Sequence, residues 1–244
     1  MMFETMEPIE LEHAGTLLRG YVARPDGDWP RPTVLVMHTG LGIAHKEVVS
    51  PAAQKLAALG YVAICTDMYG AHLEGAGPEG FGPTYQELQM ENPAKQRART
   101  VAWFNKAASL GYVDEQRIAA LGFCYGGTTA LELARSGVDL RAAISFHGIL
   151  STFQKAELRS IKGQVAVYSG GGDPWVPHED LEAFRKEMID ADHRDYQITF
   201  FGAADHGFTD RFAHEQGMEG LSFHQLSNDI SWTGAVTLLE HVLR

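Results

Sequence analysis

The chain has 244 residues, with 31 acidic and 20 basic side chains and a formal net charge of −11. The length fits one large domain, 1–244, and the negative charge argues against nucleic acid and anionic membranes as partners. Neither Cys65 nor Cys124 belongs to a CxxC pair, which argues against disulfides or a cysteine zinc site. No signal peptide and no run of 18 apolar residues is evident. We therefore expect a cytoplasmic protein with free thiols.

Short apolar segments alternate with helical ones along most of the chain. A hairpin is predicted first, from residues 9–13 and 17–23. The predicted elements then run in chain order as strand 33–37, helix 48–59, strand 61–65, helix 94–110, strand 118–123 and helix 126–135. They continue as strands 142–146 and 165–169, helix 178–191, strand 197–201 and helix 230–243. This alternation predicts an α/β fold, with a mostly parallel central sheet covered by helices on both faces.

Residues 70–92 interrupt the alternation. The segment holds five glycines and two prolines and shows no clear hydrophobic period. Irregular stretches of this length in a compact domain are usually functional. We expect a lid or pocket-wall loop.

The sharpest local signal is Gly-Phe-Cys-Tyr-Gly-Gly at 122–127, where a predicted strand meets a predicted helix. A nucleophile at such a point lies on a tight, strained turn, which needs small residues two positions before and after it. Gly122 and Gly126 satisfy this requirement around Cys124. The N–H groups that begin the helix would lower the pKa of the Cys124 thiol. The alternative is that Cys124 is a small buried apolar residue in a glycine-rich turn.

A thiol nucleophile needs a general base, and the base needs an acid to orient it. In this fold class the chain order is nucleophile, acid, histidine, each on a loop after a strand. Asp173, in GGGDPWVP, and His206, in GAADHGF, occupy the last two places. Asp205 is rejected as the acid because neighbouring side chains diverge. The alternative role for Asp173 is to cap helix 178–191, but it stands four or five residues too early.

Acyl transfer also needs two hydrogen-bond donors for the oxyanion that develops on the carbonyl. The backbone N–H of Tyr125, directly after the proposed nucleophile, is the first candidate. The N–H of Gly40, in the loop after the first buried strand, is the second, although a plain glycine turn would look the same. The Gly-Leu-Gly of this loop lacks the third glycine of a dinucleotide fingerprint, so no dinucleotide cofactor is predicted.

Further residues are candidates for the pocket wall. Trp175 and Phe208 flank Asp173 and His206 in the sequence and would form an apolar wall. His147 ends a central strand, where it either lines the pocket or packs as a satisfied histidine. The acidic cluster at 190–195, which includes one histidine, is more typical of a solvated surface than of a metal site, so no metal is predicted.

Together these motifs resemble the dienelactone hydrolase family of α/β-hydrolases over about residues 8–243. The matching segments are VLVMHTGLG, AICTDMYG, IAALGFCYGG, GGGDPWVP and GAADHGFTD. The resemblance implies an α/β-hydrolase fold and the hydrolysis of lactones or small carboxylic esters without a metal or cofactor. It also implies that Cys124, Asp173 and His206 form a catalytic triad.

The chain departs from the family pattern in two places. Members often carry glutamate beside the histidine of the oxyanion loop, where this chain has Thr39. The dienelactone enzymes also hold the substrate carboxylate with arginines, whereas this chain has none from residue 32 to 96. After His206 only Arg211 is near, one position from the expected spacing. An esterase, thioesterase or peptidase for other acyl substrates, and a non-catalytic binding protein on the same fold, remain alternatives.

Overall fold

The computed structural model describes residues 6–27 and 30–244 and has an eight-stranded sheet at its centre. The strands are β1 (Glu7–His13), β2 (Thr16–Ala23), β3 (Arg31–Met37), β4 (Val62–Thr66), β5 (Val113–Phe123), β6 (Ala142–Phe146), β7 (Gln164–Gly170) and β8 (Tyr196–Phe201). Their spatial order is β1-β2-β4-β3-β5-β6-β7-β8. Strands β3 to β8 pair in parallel, and the β1–β2 hairpin adds antiparallel to β4.

Helices cover both faces of this sheet. They are α1 (Lys46–Ala58), α2 (Pro78–Gln86), α3 (Pro93–Ala108), α4 (Tyr125–Arg135), α5 (His178–Asp190) and α6 (Gln225–Val242). One core packs α3, α4 and α5 against the sheet, and a second core packs α1 and α6 against the opposite face. Within the described residues no helix has the length and apolar character needed to cross a membrane.

The central strands supply side chains to both cores. In β3, Leu35 and Met37 belong to the first core, while Val34 and Val36 belong to the second. All four are fully buried, because successive side chains of a strand point to opposite faces of the sheet. The unbroken apolar run is therefore the signature of a strand covered on both sides, and the predicted α/β-hydrolase architecture is confirmed.

Segment 70–92 differs from the irregular loop that its composition predicts. It contains a 3₁₀ turn, helix α2 and a π turn at Glu87–Glu91. Pro78 stands in the first turn of α2, where its missing N–H costs no hydrogen bond. Phe81 and Leu88 are buried in the first core. The glycines within α2 obscured its helical period, so the expectation of a loop is wrong.

Two other elements, β5 and α6, begin five residues earlier than their apolar patterns predict. Strand β5 starts at Val113, and its first half is polar and partly exposed. Helix α6 starts at Gln225, where the ring of His224 accepts a hydrogen bond from the Ser227 N–H. In both cases polar residues at the start of the element hid it from a pattern that depends on apolar residues.

Candidate active site

Cys124 lies on a sharp turn between β5 and α4. Its backbone has φ 55° and ψ −116°, a conformation that side-chain-bearing residues rarely adopt. A Cβ atom on Gly122 would lie 2.1 Å from the carbonyl oxygen of Gly126, and one on Gly126 would lie 2.2 Å from that of Met37. Because these neighbours are backbone atoms of the sheet and the helix, both positions require glycine.

Asp173 and His206 meet at the carboxyl edge of the sheet, after β7 and β8 respectively. The distance from His206 Nδ1 to Asp173 Oδ2 is 2.8 Å, and both side chains are buried. The other carboxylate oxygen of Asp173 accepts the Trp175 N–H at 2.9 Å. Asp205, the neighbour of His206, instead accepts a hydrogen bond from the Ser222 hydroxyl. Since Nδ1 is used by Asp173, Nε2 is the imidazole nitrogen available to Cys124.

The ionised forms of Cys124 and His206 stabilise each other. Burial opposes ionisation of Cys124, but His206 and the backbone N–H groups of Gly40 and Tyr125 outweigh it and lower the thiol pKa. Burial likewise opposes protonation of His206, yet Cys124 and Asp173 raise its pKa. Both shifts act in favour of a thiolate beside an imidazolium.

The peptide between Thr39 and Gly40 is held from one side by His38. The Met68 N–H donates to His38 Nε2 at 3.1 Å, so the hydrogen on this imidazole is assigned to Nδ1. Nδ1 lies 2.6 Å from the Thr39 carbonyl oxygen, which also accepts the Gly42 N–H. Burial lowers the His38 pKa, which keeps the ring neutral. Fixing this carbonyl also fixes the opposite end of the same planar peptide, the Gly40 N–H.

A cavity of about 200 Å³ opens over Cys124. Of the residues predicted for the site, it is lined by Thr39, Gly40, Cys124, His147, Trp175 and His206. Further lining residues that the sequence patterns did not indicate are Leu41, Tyr85, Ile149, Gly207, Asp210, Gln216, Met218 and Leu221. Tyr85 comes from α2, so segment 70–92 contributes to the wall. Asp210 lies four residues after His206, and no motif in the sequence marks it as a site residue.

His147 both lines the cavity and packs against its floor. Its ring centroid lies 5.0 Å from that of His206 and 5.0 Å from that of Phe208. Its Nε2 lies 2.8 Å from the Thr209 hydroxyl oxygen, and burial holds its pKa well below the ordinary value. His147 therefore lines the cavity, and it is not a fully satisfied packing histidine, because its buried Nδ1 has no hydrogen-bond partner among the described residues.

Two residues expected in the pocket wall lie elsewhere. Phe208 is fully buried behind His147 and packs edge-on against Phe201. Arg211 is exposed, with its guanidinium 5.5 Å from the centre of the Phe223 ring. The expectation that these side chains line the pocket is wrong, because the turn after His206 directs Asp210, and not Arg211, to the cavity.

The remaining candidate arginines are occupied away from the cavity. Arg97 forms an ion pair of 2.6 Å with Glu132, and Arg99 donates to the Met68 carbonyl oxygen. Among the described residues that line the cavity there is no lysine or arginine. The arrangement thus offers no arginine clamp for a substrate carboxylate. Residues 6–27 and 30–244 also contain no group of three or more metal-ligating side chains.

Known proteins resemble this chain over nearly its whole length. A solved structure named m3DLH has a TM-score of 0.89 and 33% sequence identity, covering 98% of both chains. The dienelactone hydrolase-like promiscuous phosphotriesterase P91, from metagenomic libraries, has the same TM-score and coverage with 30% identity. A probable 2-oxo-3-(5-oxofuran-2-ylidene)propanoate lactonase from a Bradyrhizobium species is 25% identical over 85% of both sequences.

The family assignment follows from both sequence and fold. The profile of the dienelactone hydrolase family matches residues 18–243, from β2 to the end of α6. The structural neighbours share the parallel sheet with its covering helices. The chain therefore belongs to the dienelactone hydrolase family, a family of lactone and ester hydrolases within the α/β-hydrolase superfamily.

Proposed function

We propose that this protein hydrolyses small carboxylic esters or lactones through a Cys124–His206–Asp173 triad and a thioester intermediate. The observations that carry the proposal are the cavity shared by Cys124 and His206, the 2.8 Å contact of His206 with Asp173, and the lowering of the Cys124 pKa by His206 and the N–H groups of Gly40 and Tyr125. An activated thiolate beside two such donors has the geometry that acyl transfer requires. The chemistry uses protein side chains and water alone.

In the first half of the reaction, the Cys124 thiolate attacks the carbonyl carbon of the substrate. The negative charge moves to the carbonyl oxygen, which takes the place of the sulfur as acceptor for the N–H groups of Gly40 and Tyr125. Collapse of this intermediate breaks the C–O bond, and the leaving alkoxide takes the proton from His206 Nε2. With a lactone, the released hydroxyl stays attached to the acyl chain.

In the second half, water cleaves the thioester. Neutral His206 accepts a proton from the water, and the oxygen attacks the thioester carbonyl with the same two N–H donors in place. Collapse expels the Cys124 thiolate and releases the carboxylic acid, leaving His206 protonated for the next cycle. Asp173 holds the imidazole in the required tautomer and stabilises its charged form.

The wall of the cavity favours small neutral acyl groups. Leu41, Ile149, Met218 and Leu221 provide an apolar surface, and the described lining residues include no lysine or arginine that would pair with a substrate carboxylate. Binding energy would therefore come from apolar burial, about 25 cal/mol per Å². Neutral esters and lactones fit this surface better than a dicarboxylate-like dienelactone.

A second candidate activity is the hydrolysis of neutral phosphotriesters. It is supported by the 30% identity to the phosphotriesterase P91 over 98% of both chains. The Cys124 thiolate would displace the aryloxide from phosphorus, and water activated by His206 would then cleave the S–P bond and restore the thiolate. Paraoxon, assayed beside p-nitrophenyl acetate, separates the two activities because both release p-nitrophenolate.

The test compares the two cysteines of the chain. We expect Cys124→Ala to abolish hydrolysis of p-nitrophenyl acetate, while Cys65→Ala, at a buried position in β4, retains most of it. Mass spectrometry of quenched wild type should show one acetyl group on the peptide that contains Cys124. Equal loss of activity in two folded variants, or acetylation elsewhere, would overturn the assignment.

A further inference from the structure

Asp210 is the one acidic residue among the described residues that line the cavity over Cys124. We propose that this carboxylate selects esters and lactones that carry a cationic group, an ammonium in particular, over anionic ones. The inference rests on the proposed function, since it concerns which substrate enters the same cavity. Beyond the proposed function, the inference specifies the charge of the preferred substrate.

The position of Asp210 is fixed by its own turn. Its N–H donates to the Gly207 carbonyl oxygen at 2.8 Å, and its carbonyl oxygen accepts the Ala213 N–H at 3.1 Å. Its Oδ1 accepts the Phe212 N–H at 2.9 Å. Only 5% of the residue is exposed, and it lines the same cavity as Cys124. The carboxylate is thus held rigidly at the wall and is not a mobile surface group.

The nearest basic group to the second oxygen of this carboxylate is the imidazole of His45. His45 Nε2 lies 3.9 Å from Oδ2, too far for a hydrogen bond, and the other nitrogen of that ring lies 3.4 Å from the Thr39 hydroxyl oxygen. No lysine or arginine side chain in the described part of the chain forms an ion pair with Asp210. Burying a carboxylate costs free energy unless it is closely paired, and His45 stands beyond hydrogen-bond distance from Asp210. A cationic substrate would remove this cost on binding.

Two aromatic side chains that line the same cavity could also bind an ammonium group. Tyr85 and Trp175 both line the cavity, and Trp175 packs edge-on against His206 with centroids 4.7 Å apart. The faces of such rings attract ammonium groups, most strongly when water is excluded. A carboxylate and two aromatic rings around one cavity are the chemistry that recognises an alkylammonium, and the same groups repel a carboxylate.

The experiment uses esters that differ in charge and hardly in shape. With the charge on the alcohol, acetylcholine is compared with 3,3-dimethylbutyl acetate and 3-acetoxy-2,2-dimethylpropanoate. With the charge on the acyl group, ethyl 4-(trimethylammonio)butanoate is compared with ethyl 5,5-dimethylhexanoate and monoethyl glutarate. The ratios of kcat/KM, cationic to neutral and anionic to neutral, are measured for wild type, Asp210→Asn and Glu215→Gln. Glu215, exposed in the same segment, controls for the change in net charge.

We expect Asp210→Asn to lower the cationic-to-neutral ratio by about tenfold or more in at least one series and to raise the anionic-to-neutral ratio, because it removes the facing charge. Glu215→Gln should leave both ratios within about twofold of wild type. Asparagine keeps the oxygen that accepts the Phe212 N–H, and circular dichroism checks the fold. Ratios in Asp210→Asn that match wild type in both series overturn the proposal.

Failure of the proposed function would give a different result. In that case the neutral esters would not be hydrolysed, or their hydrolysis would survive Cys124→Ala. The charge preference is then measured without turnover, by calorimetric titration with choline ethyl ether and 3,3-dimethylbutyl ethyl ether. Tighter binding of the cationic ether to wild type than to Asp210→Asn supports the proposal, and equal binding overturns it.

Discussion

His38 donates a hydrogen bond from Nδ1 to the carbonyl oxygen of Thr39, 2.6 Å away. The same peptide carries the Gly40 N–H that is directed at Cys124. His38 is therefore a positioning residue: it does not reach the cavity, but it determines which way one of the two proposed oxyanion donors points.

Replacing His38 should impair the chemical step. The Gly42 N–H still holds the Thr39 carbonyl in His38→Ala, so the peptide should loosen without flipping fully. We expect kcat for p-nitrophenyl acetate to fall by about tenfold to a hundredfold, with little change in KM, since loss of a whole donor costs about 10²–10³ in kcat. His72→Ala, at an exposed position, is the control. A rise in KM with unchanged kcat would contradict this role.

The two cysteines should differ strongly in reactivity. His206 and the neighbouring N–H groups lower the Cys124 pKa, whereas burial raises that of Cys65. We expect iodoacetamide at pH 7 to alkylate Cys124 much faster than Cys65, with an apparent pKa below the free thiol value of about 8.5. Mass spectrometry of timed samples gives both rates. Alkylation of Cys124 only above pH 8 would contradict the prediction.

The rate of ester hydrolysis should follow the ionisation of Cys124 and His206 as the pH changes. Acidification through the lowered Cys124 pKa protonates the thiolate, so kcat/KM falls on the acid side. Alkalinisation through the raised His206 pKa removes the imidazolium proton needed by the leaving alkoxide, so kcat/KM falls again. A broad plateau across neutral pH is expected from kcat/KM profiles with an alkyl ester such as ethyl acetate, whose leaving alkoxide needs this proton. A single acid limb near the ordinary imidazole value would argue against the ion pair.

Threonine at position 39 should favour the ionised thiol. Its hydroxyl accepts the Leu41 N–H at 3.3 Å and lies 3.4 Å from His45 Nδ1, and it carries no charge. A carboxylate here would compete with His206 for the thiol proton and oppose the thiolate. We expect Thr39→Glu to slow alkylation of Cys124. Thr39→Gln, whose side chain has the shape of glutamate without its charge, should slow it much less. Equal rates of Cys124 alkylation in the two variants would contradict the electrostatic explanation.

The glycines of the elbow can be tested by stability. In Gly122→Ala the new methyl group would lie 2.1 Å from a backbone oxygen that cannot move without shifting α4. We expect the free energy of unfolding, from urea titration, to fall by about 3 kcal/mol or more. Gly111→Ala, where a Cβ meets nothing within 4 Å, should change it by less than about 1 kcal/mol. Similar values for the two variants would contradict the steric argument.

The sequence alone was enough to predict the sheet and the meeting of Asp173 with His206 at its edge. Apolar runs identified the buried strands, and loops after parallel strands meet at one edge, so Asp173 and His206 come together across 33 residues of chain. The pocket wall was less predictable. Tyr85 stands in a glycine-interrupted helix, and the turn after His206 decides whether residue 210 or 211 faces the cavity. Such choices depend on backbone geometry that no hydrophobic pattern records.

The segment after the last strand holds His206 through main-chain bonds. The His206 N–H donates to the Gly220 carbonyl oxygen at 2.9 Å, and its own carbonyl accepts the Ser222 N–H at 3.1 Å. Met218 and Leu221, in the same segment, turn their side chains to the cavity. Backbone bonds do not depend on side-chain identity, so these two positions can exchange residues while the imidazole keeps its place. The range of acyl groups accepted is thereby free to evolve separately from the geometry of the reacting atoms.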